Sequence, residues 1–327
     1  MSKIIIFGVN GFTGLHLWEL LKRHVKSDVI GTYHHPLGAC QKKILSGCRL
    51  KQCDILDFGS IKRILSDIRP KQVYFLPAIV TVAKSFERAV DIYHTNVMGC
   101  AHFFEALVQL GLFPKVLLAS SSETYGHVPH HRLPIKESYP LSPANPYGLS
   151  KALEEHLASY YSSIHRLTIL TARTFHFSGP RQSTGFVIPS FARQIALAEE
   201  KKIDPVISVG NLKAKRDFTD IRDVVNAYFL LMRKEDRSGT FNICSGRSVA
   251  IHSVLNQLIS LAKIKIAVRQ DPEKFRKLDI KDFRGDHRKL IRKTGWSARF
   301  TLKQTLQDVL NEQRQLIKKG LHGEKVV

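Results

Sequence analysis

Lys3-Ile-Ile-Ile-Phe-Gly-Val-Asn-Gly-Phe-Thr-Gly14 is the segment from which the fold of this 327-residue chain can be inferred. Its apolar run predicts a buried strand over Lys3–Phe7, and the pattern after the glycines predicts an amphipathic helix over Thr13–Lys26. Glycines spaced GxxGxxG between a strand and a helix are typical of a turn that binds a dinucleotide. The helix N-terminus would supply free N–H groups and a positive dipole end to the phosphates.

Each glycine of this turn has its own expected role. Gly8 permits the tight turn, Gly11 lets the backbone approach a pyrophosphate, and Gly14 allows the helix to pack closely on the strand. We therefore predict a cofactor site at the turn. The residues expected to line it are Gly8, Asn10, Gly11, Phe12, Thr13 and Gly14.

Strand-like and helix-like segments alternate through the first half of the chain, which predicts an α/β fold with a Rossmann doubly wound parallel sheet. The predicted strands are Lys3–Phe7, Asp28–Tyr33, Arg49–Cys53, Gln72–Leu76, Lys115–Ala119 and Leu167–Thr171, and the helices between them include Ser60–Ile68, Lys84–Leu110 and Tyr147–His165. The alternation loosens after Arg173, which indicates a smaller, partly interleaved C-terminal substrate lobe.

The predicted domain division follows from this change of pattern. Residues 1–173 plus about 215–242 would form the NAD(P)-binding Rossmann domain, and about 174–214 plus 243–327 the lobe. The remaining predicted elements are helices over Phe186–Glu200, Asp220–Arg233, Ala250–Ala262, Asp286–Thr294 and Leu302–Lys319, with a strand over Thr240–Ile243.

Composition narrows the class of protein. Hydrophobic residues make up 43% of the chain and charged residues 24%, which are ordinary values for a globular protein. The longest apolar runs fall far short of the ~20 residues that a membrane span needs, and the N-terminus has no signal-peptide cleavage pattern. We expect a cytoplasmic protein with no membrane partner. The five cysteines form no metal-binding spacing, so we expect reduced thiols and no metal.

The net charge of +22 is the most unusual bulk property of the chain. It is compatible with binding to nucleic acid, with binding to an anionic membrane surface, or with a cell whose proteins are generally basic. The basic residues are spread along the chain in short clusters, without a basic tail or a zinc-finger pattern. We favour background charge plus an anionic small substrate, and expect no nucleic-acid partner.

The end of the second strand bears on which cofactor binds. NAD-binding folds usually place an acid there for the ribose 2′-OH, whereas this chain has Gly31-Thr-Tyr-His-His35. His34 or His35, with Lys42 or Lys43 nearby, could meet a 2′-phosphate, so NADP(H) is favoured and NAD(H) is the alternative. At the end of the third strand, Cys53-Asp-Ile55 places Asp54 and Ile55 near the adenine, although Asp54 could equally cap a turn.

A candidate catalytic group follows in Tyr147-Gly-Leu-Ser-Lys151. Residues i and i+4 share one face of a helix, so Lys151 would lie beside Tyr147 and lower its pKa from about 10. Tyr147 would then serve as a general acid or base. Ser121 lies at the end of a predicted strand, where such sheets bind ligands, and its hydroxyl could hold the same substrate oxygen.

Three motifs carry a family resemblance. Gly8–Gly14, Ser120-Ser-Ser-Glu-Thr-Tyr-Gly126 and Tyr147–Lys151 together resemble the extended short-chain dehydrogenase/reductase family. Within it, residues 178–194, 209–225 and 241–247 are most similar to the GDP-4-keto-6-deoxy-D-mannose reductases, whose nearest relatives are the GDP-mannose 4,6-dehydratases. The resemblance runs nearly end to end.

The resemblance implies a catalytic set of Ser121, Tyr147 and Lys151, with Glu123 matching a carboxylate that serves as a base in the dehydratases. It places Leu76 and Ala78 beside the cofactor. Residues that it assigns to the GDP-sugar are His176, Arg181, Arg216, Arg276 and Asp279. A salt bridge to Asp217 or Asp220 is the structural alternative for Arg216. The resemblance also implies a homodimer, in which the predicted helices Lys84–Leu110 and Tyr147–His165 pair with those of a second copy as a four-helix bundle.

Two positions depart from the family pattern. His176 stands where the family usually has an Asn that contacts the nucleotide sugar, and Pro77 replaces an Ala beside the cofactor and removes a backbone donor. A changed sugar or an altered cofactor geometry would follow.

The function that the resemblance implies is NAD(P)H-dependent reduction of the C4 ketone of a GDP-linked 4-keto-6-deoxyhexose. The alternatives are a GDP-mannose 4,6-dehydratase, a nucleotide-sugar epimerase, and a non-enzymatic nucleotide or nucleic-acid binder.

Overall fold

The computed structural model describes residues 2–80, 85–275 and 280–320. The predicted opening is confirmed: strand β1 spans Lys3–Phe7, a glycine turn follows, and helix α1 spans Phe12–His24. The first half continues with β2 Asp28–Tyr33, α2 Ala39–Ile44, β3 Arg49–Gln52, α3 Phe58–Ile68, β4 Gln72–Phe75, α4 Ala89–Ile92, a π-helical segment Tyr93–Met98, α5 Gly99–Gln109, β5 Lys115–Ser121, α6 Pro146–His165 and β6 Ile169–Thr174.

The second half mixes short strands with helices. It contains β7 His176–Ser178, α7 Val187–Glu199, β8 Val206–Val209, β9 Lys215–Asp220, α8 Ile221–Lys234, β10 Gly239–Ile243, β11 Ser248–Ala250, α9 Ile251–Ser260, β12 Ala267–Gln270, β13 Asp282–Phe283, α10 Arg288–Thr294 and α11 Leu302–Lys318. Short 3-10 turns occur at Ser122–Tyr125, His130–Arg132 and Pro272–Lys274.

The main sheet has seven strands in the order β10-β6-β5-β4-β1-β2-β3, and every pairing is parallel. The strand order reverses between β1 and β4, which is where a doubly wound sheet opens a ligand crevice at the carboxyl ends of its strands. The predicted Rossmann architecture is therefore confirmed.

Helices cover both faces of this sheet. One face is buried against α1, α8 and α10, and the other against α3, α5 and α6. A separate core joins α7, α9 and α11 with β8, and forms most of the lobe. Helix α10, which the predicted division assigns to the lobe, packs through Leu290 in the core of the main sheet.

Two boundaries differ from the predicted ones in ways that concern the site. Strand β5 extends past the predicted Ala119 to Ser121, so the candidate hydroxyl is the last residue of the strand. The single helix predicted over Lys84–Leu110 is instead α4, the π-helical segment and α5, and Lys84 lies outside the described residues. Apolar periodicity does not distinguish a continuous helix from one with a π-helical turn.

The predicted lobe shares a second, small sheet with β9, which the predicted division assigns to the Rossmann domain: β9 pairs with β7, β11 and β13. Across residues 2–80, 85–275 and 280–320, no helix has both the length and the apolar composition needed to cross a membrane.

Candidate active site

The glycine turn between β1 and α1 fits a pyrophosphate. Gly8 has φ +76°, and a Cβ on Gly14 would lie 2.4 Å from the carbonyl oxygen of Gly8, so the turn and the close helix contact both require glycine. The N-cap residue of α1 is Gly11, which has no side chain to accept from the first-turn N–H groups, so these can meet an anion. This geometry suits the predicted dinucleotide at Asn10 through Gly14.

The loop after β4 closes over the same turn. The backbone nitrogen of Pro77 lies 3.4 Å from where a Cβ of Gly8 would be, so the unusual proline packs directly on the glycine turn. Buried Asn96 holds this loop, because its Oδ1 accepts a hydrogen bond of 2.8 Å from the Ile79 N–H. Its Nδ2 donates to Ser150 Oγ at 2.9 Å, which ties the loop to α6.

Sequence reasoning missed Asn96. A polar residue inside an apolar helical pattern was its only signal, and the π-helical segment that carries Asn96 was not predicted. Leu76 and Ala78, which the resemblance places beside the cofactor, belong to the loop that Asn96 anchors.

The predicted adenosine-end residues lie close together. His34 Nε2 is 3.6 Å from Asp54 Oδ2, and the His35 ring lies 4.2 Å from the His34 ring. Asp54 Oδ1 also accepts a hydrogen bond of 2.9 Å from the Leu56 N–H, so Asp54 caps this turn, and its contact with the adenine stays a prediction. Ile55 is buried beside it.

Tyr147 and Lys151 occupy the first turns of α6 and are both buried, with 6% and 3% of their surfaces exposed. The ammonium of Lys151 donates to the Ala119 carbonyl oxygen at 2.9 Å, which fixes it against the end of β5. It also donates to Glu154 Oε2 at 3.0 Å. The helical spacing that the sequence indicated therefore brings the phenol and the ammonium to the same strand end.

The pKa of Tyr147 does not follow the sequence-based expectation. Burial raises it above the ordinary value of 10, although Lys151 and a hydrogen bond with Ser121 both act to lower it. The expected direction of the Lys151 effect is correct, but the expected net lowering was wrong because desolvation of the phenolate is the larger effect. Tyr147 is thus a neutral phenol, suited to donating a proton.

Glu123 is hydrogen-bonded to Ser121 and to Asn145. Its backbone N–H donates to Ser121 Oγ at 3.2 Å, and its Oε2 accepts from Asn145 Nδ2 at 2.7 Å. Asn145 also caps α6, since its Oδ1 accepts from the Gly148 N–H at 2.8 Å. The Asn145 side chain therefore fixes both the start of α6 and the carboxylate of Glu123.

Two of the predicted sugar-nucleotide residues share the small sheet of the lobe. His176 begins β7 and is paired with Phe218 of β9, while Arg216 lies two residues earlier on β9. Arg216 is buried, and its Nη1 donates to the carbonyl oxygens of Lys215 at 2.9 Å and Ile280 at 2.6 Å.

Asp217 and Asp220, the alternative partners of Arg216, have hydrogen bonds elsewhere. Asp217 accepts from the backbone N–H groups of Ser245 and Gly246, and Asp220 pairs with Arg222.

Arg181 lies apart from that sheet. Its Nη2 pairs with Glu19 Oε2 at 2.6 Å and contacts His16 Nδ1 at 3.0 Å, both on α1. These contacts join the segment after β7 to α1, and the substrate contact of Arg181 stays a prediction. Arg276 and Asp279 lie outside the described residues.

Comparisons with known proteins agree with this geometry. A family model described as GDP-mannose 4,6 dehydratase matches residues 5–309. The chain is 29% identical to GDP-6-deoxy-D-mannose reductase of Pseudomonas aeruginosa, over 95% of this chain and 97% of that protein. It is 24% identical to human GDP-mannose 4,6 dehydratase, over 96% of this chain and 92% of that protein. The structure of RMD from Pseudomonas aeruginosa complexed with NADPH is similar at TM-score 0.84 and 28% identity, with 96% and 99% of the chains covered.

Proposed function

The chain belongs to the GDP-mannose 4,6 dehydratase family, and from this premise we propose that it reduces the C4 ketone of a GDP-linked 4-keto-6-deoxyhexose with NADPH. The observation that carries the proposal is the buried Tyr147 phenol, with Lys151 and Ser121 beside it at the end of β5. A neutral phenol is the form that donates a proton to a carbonyl oxygen as it becomes an alkoxide.

The roles of the residues follow from their chemistry. Tyr147 donates its proton to the C4 oxygen, and the Ser121 hydroxyl donates a hydrogen bond to the same oxygen. The Lys151 ammonium stabilises the phenolate that remains on Tyr147. Glu123, which Asn145 holds in place, orients the hexose. NADPH, when bound, supplies the hydride that reaches C4.

The cofactor would be held along the crevice between β1 and β4. The glycine turn and the start of α1 fit its pyrophosphate, and Asp54 and Ile55 would meet the adenine. Two observations support NADPH over NADH: β2 leads into His34 and His35 without a carboxylate, and the similar RMD structure contains NADPH. NADH remains the alternative.

The lobe would bind the GDP-sugar. We propose His176 and Arg216 as contacts from its small sheet, and Arg276 and Asp279 as contacts from the segment outside the described residues. Arginine suits this task because its fork of N–H donors matches the oxygens of a phosphate. A polar His176 in place of the family's Asn would still offer a ring nitrogen to the nucleotide sugar.

A homodimer is supported by an apolar stripe on α6. Leu149, Leu153, Tyr160 and Ile164 recur at helical spacing and expose 39%, 38%, 54% and 61% of their surfaces. Val90 of α4, at 78%, is exposed as well. Adjacent exposed apolar side chains on two helices indicate a protein interface, and we propose that a second copy covers them.

A 4,6-dehydratase or an epimerase is the second candidate. The family model carries the dehydratase name, and Glu123 beside Ser121 is a carboxylate that could remove the C5 proton. These reactions begin by oxidising C4 and return the hydride, so they consume no external cofactor.

The test is NADPH absorbance with GDP-4-keto-6-deoxymannose as substrate, followed by product analysis. Stoichiometric NADPH oxidation with a GDP-6-deoxyhexose product is expected. Conversion of GDP-mannose to a keto sugar without NADPH consumption would instead assign the dehydratase.

A further inference from the structure

Helix α6 buries two adjacent carboxylates that have different partners. Glu155 is engaged on both oxygens, since Arg173 Nε donates to Oε1 at 3.0 Å and Arg173 Nη2 donates to Oε2 at 2.6 Å. Glu154 is fully buried and its Oε2 accepts from the Lys151 ammonium at 3.0 Å. Glu155 therefore joins α6 to β6 through Arg173, whereas Glu154 contacts Lys151, the candidate catalytic lysine.

The second oxygen of Glu154 is unsatisfied. Among residues 2–80, 85–275 and 280–320, its Oε1 has no hydrogen-bond partner although it is buried. Burying a carboxylate with half of its hydrogen-bonding capacity unused is costly, and the buried Lys151 ammonium is the group that offsets this cost. The charge of Glu154 is therefore directed at Lys151, the neighbour of Tyr147.

We propose that Glu154 is a positioning residue that neutralises the buried Lys151 ammonium and so keeps the Tyr147 phenol in its protonated, proton-donating form. This inference rests on the proposed function and deepens it. An ammonium alone beside Tyr147 would favour the phenolate, whereas an ion pair of zero net charge does so far less.

Other titratable groups in the described part of the chain interact with Glu154 or Tyr147. Glu155 on α6 and Cys100 on α5 interact with Glu154, while Glu123 and Tyr228 interact with Tyr147. With each of these groups present, Glu154 still favours the protonated form of Tyr147. Glu155 is itself balanced by Arg173 of β6, and burial raises the pKa of the Cys100 thiol well above its ordinary value, so Cys100 stays neutral. On α4 and the π-helical segment, Asp91 and His94 are exposed to solvent and Tyr93 is half-buried.

The burial of Glu154 sets the pH range of the effect. Burial raises its pKa to about 7, against the lowering effect of Lys151. Above that pH Glu154 is ionised and neutralises Lys151, and this range includes the alkaline pH at which Tyr147, whose pKa burial raises above 10, would lose its proton. Glu154 thus extends the proton-donating range of the site toward alkaline pH.

The ion pair also bears on which reaction the site favours. Reduction requires a protonated Tyr147 at the start, whereas a dehydratase or an epimerase begins with a phenolate that accepts the C4 hydroxyl proton. By favouring the phenol, Glu154 supports the reductase over the second candidate.

The variant Glu154→Gln tests the inference, because it keeps the size and polarity of the side chain and removes its charge. The matched control is Glu105→Gln on α5, whose carboxylate accepts a hydrogen bond from Tyr161 rather than from Lys151. The pH profile of kcat for ketone reduction is measured for both variants and the unmodified chain. We expect the alkaline limb to move to lower pH by about one unit or more in Glu154→Gln and to stay in place in Glu105→Gln.

A second readout does not depend on activity. In full-length protein labelled with 13Cζ-tyrosine, the Tyr147 signal is assigned by its loss in Tyr147→Phe, and its titration is followed by NMR. A lower titration pH in Glu154→Gln supports the inference even if the chain fails to reduce the keto sugar, in which case only the proposed function is wrong. Unchanged titration in a folded Glu154→Gln protein would overturn the inference.

Discussion

Burial is the main influence on the protonation state of Tyr147. Tyr147 gives up its hydration, so its phenolate becomes unfavourable and the side chain keeps the proton that a reductase needs. The sequence predicted the partnership of Tyr147 with Lys151, because i and i+4 spacing depends only on helix geometry. It did not predict the net pKa, because the degree of burial depends on packing against distant elements.

His16 gives a pH prediction at the same scale. Burial and the Arg181 guanidinium lower the pKa of His16 to about 4, while its Nε2 lies 3.0 Å from the Pro180 carbonyl oxygen. The unfolded chain binds this proton near pH 6.5 and the folded chain resists it. Stability from this group is therefore complete above about pH 6.5 and is lost progressively toward pH 4, by up to about 3 kcal/mol.

Urea unfolding at a series of pH values checks this expectation. Gln at position 16 retains a donor for Pro180 but does not titrate, so the His16→Gln variant should lose less stability between pH 6.5 and 4. Parallel losses in the two proteins would show that His16 is not the group responsible.

At the scale of elements, helices and strands could be predicted where the local sequence pattern determines them. They could not be predicted where contacts with residues distant in the sequence determine them. The β1–turn–α1 unit follows from apolar pattern and glycine spacing alone. The π-helical segment, the short strands of the lobe and the cap supplied by Asn145 were missed. Strands of three residues contain too little alternation to recognise, and a π-helical turn keeps the composition of an ordinary helix.

Gly14→Ala tests the turn as an element. The added Cβ would lie 2.4 Å from the Gly8 carbonyl oxygen, which forces α1 away from β1 and disturbs the pyrophosphate cradle. We expect NADPH affinity, measured by calorimetry, to fall at least about tenfold, or about 1.4 kcal/mol. Gly185→Ala is the control, since the nearest described atom to a Cβ there is Ser183 Oγ at 3.7 Å, an ordinary van der Waals contact. Equal affinity in both variants would contradict the proposed cradle.

At the scale of the whole molecule, the homodimer that we propose would cover the exposed apolar stripe of α6. The dimer was expected only from the family resemblance, since exposure cannot be read from the sequence: an apolar residue at helical spacing predicts core and interface equally well. Arg276 and Asp279 stay predictions at this scale too, because they lie outside the described residues.

Ile164→Asp tests the assembly. A charge placed in the apolar stripe should convert a dimer to a monomer, as measured by sedimentation velocity. Phe113→Asp is the matched control, because Phe113 is 67% exposed against 61% for Ile164 but follows α5 outside the stripe. Monomeric behaviour of the unmodified chain, or a dimer that survives Ile164→Asp, would contradict the proposed interface.

Deuterium transfer tests the central claim most directly. NADPH deuterated at C4 of the nicotinamide is incubated with GDP-4-keto-6-deoxymannose, and the sugar product is examined by NMR. We expect one deuterium at C4 of a GDP-6-deoxyhexose for each NADPH oxidised, and loss of this transfer in Tyr147→Phe but not in Tyr160→Phe, whose ring is exposed. Turnover of a GDP-sugar without deuterium at C4, or transfer that persists in Tyr147→Phe at the unmodified rate, would contradict the account.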